Sequence, residues 1–392
     1  MNAHTADVLV IGGGVIGLSI AWRAAQQGMS VVVADPQPGE GATHAAAGML
    51  TPIAEAAYAE REIFALGQES LRRYPDFISE LEEATGLSAG FRQTGTLQVA
   101  YDADDLALLS ETRVLQESFG VHLQQLTARE CREAEPMLHP SVRGGLLAPG
   151  DGSVEPRELA VALLAAAQAA GARLIRSSAA GVCSSGGRAT GGRLADGSVI
   201  AAGWTVLAAG WQSAALAGLP PGTAPPVRPV KGQILRLRTS AADEASGLPP
   251  GLLRRTVRGV IRGSSVYLVP RDSGELVIGA TQEELGADTR VTAGGVWELL
   301  RDARNLVPGV TELEVADIVA GLRPGTPDNA PVLGPCALAG LVLATGHFRA
   351  GVLLAPVTAD TVTAYLRDEV PDPLWRTFGA GRFAAREAAA CT

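Results

Sequence analysis

With 392 residues, 47% of them hydrophobic and 19% charged, the chain is long enough for two domains with sizeable cores and too apolar to remain disordered. Lys and Arg total 32 against 41 Asp and Glu, a net charge of −9, which excludes the basic footprint of a nucleic-acid-binding protein. Four scattered cysteines (Cys131, Cys183, Cys336, Cys391) and five histidines without ligand spacing exclude a zinc site or a disulfide framework.

No apolar stretch reaches the ~18 residues of a membrane span, and no basic segment with an apolar core precedes the first strand. A soluble protein of the reducing cytoplasm is the expectation. Residues 7–11 form a short apolar run that reads as a buried strand. Residues 18–27 carry apolar side chains at helical spacing and stop at Gly28, and 31–34 form a second buried strand closed by Asp35. This β-turn-α-β order opens a dinucleotide-binding domain. A helix is expected over 61–86, with Phe64, Leu71, Phe77, Ile78 and Leu81 on one face, then a strand over 93–101 and a helix over 104–119. Another helix is expected over 155–170, with Pro156 in its first turn. Further on lie a strand at 172–175, a hairpin over 192–200 turning at Asp196-Gly197, and a strand at 205–209 ending at Gly210. From about Val227 the pattern changes to paired strands (232–238, 266–269, 275–279), read as antiparallel and half exposed. A helix over 292–306, a buried strand at 341–344, a loop at 346–351 and a helix over 352–366 complete the chain. Parallel-type elements at both ends and in the middle, with antiparallel elements between them, fit two interleaved domains.

Gly12, Gly14 and Gly17 fit G-x-G-x-x-G between the first strand and the first helix. Such glycines permit a tight turn, close backbone approach to a pyrophosphate and close helix-strand packing, while the helix N-terminus favours negative charge. Asp35 follows roughly twenty residues later, where a carboxylate accepts from a ribose 2′-OH and repels a 2′-phosphate. FAD and NAD both remain open on these residues. Two further segments separate them. The small-residue run 41–50 (GATHAAAGML) would let backbone approach a flat ring system. The late segment 344–351 (ATGHFRAG), a strand end and glycine loop before a helix, would set a helix N-terminus beside the far end of a flavin.

With these residues assembled, the chain resembles the D-amino-acid-oxidase-type flavoproteins. The resemblance rests on VIGGGVIG (10–17), AAAGML (45–50), PVKGQ (229–233), VYLVPR (266–271), GLRPGTPD (321–328) and GHFRAGVLLAP (346–356), in the family's order from Val8 to about Phe383. It implies an α/β fold in which a Rossmann-like FAD-binding domain (1–85, 147–225 and 318–392) interleaves with an α+β antiparallel-sheet substrate domain (86–146 and 226–317). It implies cofactor contacts at Gly12, Gly14, Val15, Ile16, Gly17, Asp35, Ala42, Thr43, Ala47, Gly48 and Met49. It adds His347, Phe348, Arg349, Ala350, Gly351, Val352 and Leu353, with Val182 on the adenine side. Arg323 and Tyr267 would hold an amino-acid carboxylate, with Arg349 beside flavin and substrate; a guanidinium fork and a phenol suit that task.

The activity so implied is oxidative deamination of glycine, and of small amines such as sarcosine or small D-amino acids, to glyoxylate, ammonia and hydrogen peroxide. The imine would feed thiamine thiazole synthesis. Partners are then a small amino acid and molecular oxygen, with a homo-oligomer, tetramer included, as the assembly. No acid-base side chain and no metal are expected. Relatives that bind FAD covalently do so through a Cys near GLRPGT; Leu322 and Arg323 stand there, so FAD is expected to be non-covalent. His44 is expected to fill space, Lys231 to belong to the sheet under the site, and the His347 imidazole to be incidental. The rival readings are a D-amino-acid dehydrogenase or sarcosine-type oxidase on the same fold, an NAD-dependent dehydrogenase, and a non-catalytic redox sensor.

Overall fold

In the computed structural model, which describes residues 4–56, 60–261, 263–369 and 373–383, the strand His4–Ile11 lies inside an eight-stranded sheet. Val31–Ala34 and Val199–Leu207 flank it in parallel, and Arg173–Ile175 and Leu341–Thr345 extend the parallel set on either side. Alternate side chains of the first strand enter different cores. Val8 and Val10 face the helices Val15–Gln26, Arg61–Thr85, Pro156–Ala169 and Ala355–Leu366, whereas Leu9 and Ile11 pack with Val182, Leu194 and Ile200. That double burial explains why the run is apolar without alternation. Gly28 takes φ +80°, ending the first helix as its position suggests. Cys391 and the last residues assigned to the cofactor part lie outside the described residues.

A second eight-stranded sheet runs in the order Glu314–Gly325, Arg228–Arg238, Glu275–Gly279, Ser264–Pro270, Thr256–Ile261, Thr96–Ala100, Gly144–Ala148, Gln124–Thr127. Every pairing is antiparallel except that between Thr256–Ile261 and Thr96–Ala100. The strands expected to be half exposed are covered on both faces. Leu235, Leu268 and Ile278 pack under the helix Ala293–Leu306, and Ile234, Val269 and Val277 meet Ala47 on the opposite face.

Several bounds differ from expectation. The hairpin arm and the strand at 205–209 are one strand, Val199–Leu207, which pairs antiparallel at its start and parallel along its length. The last long helix begins at Ala355, three residues late, with Pro356 in its first turn, where a missing N–H costs nothing. The strands Gly144–Ala148 and Glu314–Gly325 cross the divisions drawn at 146/147 and 317/318, and the second sheet keeps both whole. Among the described residues no helix is long and apolar enough to cross a membrane.

Asp151 is fully buried where the turn 51–56 meets the second sheet, and accepts N–H bonds from Ile53 (3.4 Å) and Ala54 (3.3 Å). Burial pushes its carboxyl up to about 7. A pKa higher in the folded than in the unfolded chain means that stability falls as pH rises, from ~3.9 through the folded value, and stays low above it. Asp151→Asn is therefore expected to raise Tm at ~pH 8 and to lose that advantage toward ~pH 5. A gain that does not vary with pH would show that Asp151 does not titrate in this range.

Candidate active site

A cavity of about 1250 Å³ runs between the two sheets, from Gly12 and Asp35 to Tyr267 and Arg323. That exceeds the roughly 300–1,000 Å³ of most small-molecule pockets and leaves room for a dinucleotide with a small substrate. At the glycine end, Gly12 holds φ +108°, and a Cβ there would lie 2.4 Å from the Ala208 carbonyl oxygen. A Cβ on Gly17 would sit 1.9 Å from the Gly12 oxygen, so the helix presses against the strand and aims its N-terminus into the cavity. Asp35 accepts the Gly13 N–H (2.6 Å) and the Gln37 N–H (2.7 Å) while lining the cavity, so it shapes the loop as well as facing it. The Val15 N–H donates to Thr43 Oγ1 at 3.1 Å, tying the loop to the small-residue run.

That run forms the helix Ala42–Ala45 and the two-residue strand Met49–Leu50, paired with Gly152–Ser153. Ala42, Thr43, Ala47, Gly48 and Met49 all line the cavity. Two buried guanidiniums hold the run from below. Arg271 Nη2 donates to the Ala47 carbonyl and Arg236 Nη2 to the Ala46 carbonyl (3.4 Å). Both pair with Glu155, at 2.8 Å from Arg271 and 3.2 Å from Arg236. Burial raises the Glu155 carboxyl, but the two cations outweigh it and hold the group below the usual carboxylate range.

Along the far wall, His347, Phe348, Arg349, Gly351 and Val352 line the cavity. Ala350 and Leu353 do not; Leu353 packs into the helical core, and its carbonyl accepts the Ser70 hydroxyl at 2.6 Å. The Tyr74 hydroxyl donates to the Val352 carbonyl at 2.5 Å, so the long helix fixes this turn. His347 is buried with Nε2 3.1 Å from Thr358 Oγ1, and burial alone pushes it down to about 3. It is a neutral packing group throughout the working range. Arg349 pairs with Glu60 at 2.8 Å.

At the second sheet, Arg323 Nη1 donates to the carbonyls of Thr281 (3.2 Å) and Lys231 (3.4 Å). A Cβ on Gly232 would lie 2.3 Å from its nitrogens, and one on Gly279 2.3 Å from the Tyr267 hydroxyl. Both side chains therefore lie across a glycine of a neighbouring strand. Burial raises the Tyr267 pKa, so its hydroxyl remains a donor. Lys231 is fully buried against Glu283 and Asp288 (3.4 Å each) and does not line the cavity; His44 does not line it either.

Four of the expected contacts, Gly17, Val182, Ala350 and Leu353, do not line the cavity. Val182 is absent from the cavity wall; it packs into the core behind the sheet and its N–H is taken by the Ala217 carbonyl, whereas Ala179 and Ala180 reach the wall. Gly17 acts by packing and also does not line the cavity. Among the lining groups that escaped the sequence reading are two that pair: Arg258 on the strand Thr256–Ile261, and Glu55, whose Oε1 lies 2.6 Å from Arg258 Nη1. Among the described residues no cluster suits a metal ion.

The model of a family described as FAD dependent oxidoreductase matches residues 7–365. The chain belongs to this FAD-dependent oxidoreductase family. It is 34% identical over 389 residues to the bifunctional protein ThiO/ThiG of Trichormus variabilis, covering 97% of this chain and 55% of that one. It thus spans about half the length of that relative. It is 35% identical over 366 residues to a glycine oxidase of Geobacillus kaustophilus, covering 91% of each chain. The crystal structure of glycine oxidase from Geobacillus kaustophilus superposes with a TM-score of 0.85 at 33% identity, over 96% of this chain and 99% of that one.

The cavity of this FAD-dependent oxidoreductase fits its cofactor. A helix N-terminus and a glycine turn stand at one end, Asp35 beside them, and a wall of small residues from Ala42 to Met49 follows. The wall residues His347, Phe348, Arg349, Gly351 and Val352 complete the far side. None of the described cysteines lines the cavity. Because His347 is neutral and turned into the helix packing, His347→Gln is expected to leave the acid limb of the turnover-pH profile in place. A shift of that limb by more than about one pH unit would make His347 the titrating group.

Proposed function

We propose that this protein oxidises glycine, and amines of similar size such as sarcosine and small D-amino acids, to the imine, with dioxygen reduced to hydrogen peroxide; water then converts the imine of glycine to glyoxylate and ammonia. The observation that carries this reading is the Arg323–Tyr267 pair at the end of the cavity opposite the glycine loop, each laid over a glycine. A guanidinium with donors to spare and a neutral phenol make a fork for one carboxylate. The first sheet serves the cofactor and the second the substrate, with the last division after Gly325. Gly12, Gly14, Val15 and Ile16 would hold the pyrophosphate, Asp35 the ribose, and Ala47 to Met49 with His347, Phe348, Arg349, Gly351 and Val352 the ring system. Bound FAD supplies a two-electron acceptor that dioxygen reoxidises.

What the chain contributes is orientation and exclusion. Arg323 and Tyr267 fix the carboxylate, and so fix the direction of the adjacent C–H bond. His347 is a poor proton acceptor, because burial pushes its imidazole down to about 3 and its Nε2 is engaged with Thr358, and the amine reacts in its neutral form. The likeness to ThiO/ThiG supports a role in supplying the imine for thiamine thiazole synthesis.

The test is a substrate panel of glycine, sarcosine and D-alanine read as oxygen uptake and peroxide formation. Turnover of glycine with peroxide is expected, and no turnover of any member would overturn the reading. Arg323→Ala leaves a carboxylate without its cation, a loss of ~2–5 kcal/mol. That corresponds to roughly 30- to several-thousand-fold in kcat/KM with flavin content kept; a loss under about threefold would remove Arg323 from the carboxylate. Acid precipitation is expected to release the flavin into the supernatant, and flavin that stays with the chain would reveal a covalent bond.

A further inference from the structure

Arg258 and Tyr267 stand directly opposite each other on neighbouring antiparallel strands, so both side chains leave the sheet on one face, into the cavity. Arg258 also reaches Met49, whose sulfur lies 3.8 Å from Nη1. Glu55 closes this corner from the turn 51–56. Its Oε1 is held by Arg258, and among the described residues its Oε2 takes no hydrogen bond. Burial dominates the environment of the Tyr267 hydroxyl, and the charges acting on it are, in order, Arg323, Glu55 and Arg258.

Two cations and one anion thus surround the hydroxyl that faces the substrate. An amino acid arrives as a zwitterion. Once Arg323 and Tyr267 take its carboxylate, its ammonium sits one carbon away, among guanidiniums and out of bulk water. An ammonium so placed needs a carboxylate partner. The other acids of this half of the cavity are committed or exposed. Glu283 serves Lys231, Gln233 and Thr281; Asp302 serves Ser264 and Arg301; Glu298 is solvent-exposed. Asp35 and Glu40 lie at the glycine-loop end.

We propose that Glu55, held in place by Arg258, receives the ammonium group of the incoming substrate and so selects amino acids over carboxylates that lack a cation. Arg258 is the positioning residue: anchored in the sheet, it fixes Oε1 and leaves Oε2 for the ligand. The role is recognition at the binding step; the ammonium gives its proton to water before the neutral amine reacts, and no proton transfer is assigned to Glu55. The inference rests on the reading of Arg323 and Tyr267 as the carboxylate anchor.

The experiment compares two ligands of one shape on the holoenzyme. Trimethylglycine is a fixed zwitterion, and 3,3-dimethylbutanoate replaces its nitrogen by carbon. Neither holds an oxidisable C–H next to a free amine, so binding is read from the flavin absorbance. The wild type is expected to prefer the zwitterion. In Glu55→Gln the ratio of the two dissociation constants should shift toward the anion by roughly tenfold or more. The anion alone should bind as well or better, because the site has lost a negative charge. Parallel weakening of both ligands, a ratio that moves less than about threefold, or no preference in the wild type would each overturn the proposal. Glycine turnover by the wild type separates the two readings. Turnover with an unchanged ratio overturns only the role of Glu55, whereas a shifted ratio without turnover overturns only the proposed activity.

Discussion

Glu155 is the point on which the two halves of the molecule depend. Its side chain accepts the Arg157 N–H and so caps the helix Pro156–Ala169 of the first layer. The same carboxylate pairs with Arg236 and Arg271 of the second sheet, and these two donate onward to the carbonyls of Ala46 and Ala47. One buried acid therefore joins the helical layer, the antiparallel sheet and the cavity wall. A buried ion cluster of this kind contributes little net stability against an apolar replacement, but removing one member strands the rest at a cost of ~3–5 kcal/mol. The return is geometric. The backbone of 46–47 cannot shift without breaking charged hydrogen bonds, and this backbone lines the cavity proposed to hold the flavin.

The glycines do two different jobs along the cavity. Gly12 and Gly17 bring backbone against backbone, so that the first helix begins where negative charge is expected. Gly232 and Gly279 bring side chain against backbone, giving Arg323 and Tyr267 room to lie flat along the sheet. A side chain at either of the latter would force the guanidinium or the phenol away from its neighbours. The second sheet is thus shaped by what is missing from two of its strands.

The parts of the site legible in the sequence were those whose chemistry is local. The glycine loop, Asp35, the small-residue run and the Arg323 and Tyr267 motifs each sit in a short segment with its own physical reason. Arg258 was not legible because its strand carries no clean alternation. Gly259 interrupts it, and the structure shows why: a Cβ there would lie 2.8 Å from Leu306 of the covering helix. The strand Glu314–Gly325 was hidden in the same way, since Gly321 leaves room for Ala45 and Pro324 ends the pattern. Residues that look like strand breakers were answers to packing from another layer.

Arg323 and Tyr267 were offered as a carboxylate grip by the resemblance to a known family; by itself the sequence determined the β-turn-α-β opening, the dinucleotide loop and the change from parallel to antiparallel elements. These follow from period, glycine placement and side-chain chemistry within a few residues. Only the tertiary structure decided which of those residues meet. Glu55 and Arg258 are far apart in the chain yet 2.6 Å apart in the cavity. Val182 turned into the core, and His347, though part of the cavity wall, commits its Nε2 to Thr358 of the last helix. Orientation of this kind depends on which face of a strand or turn is covered by a distant element, and no local pattern encodes that.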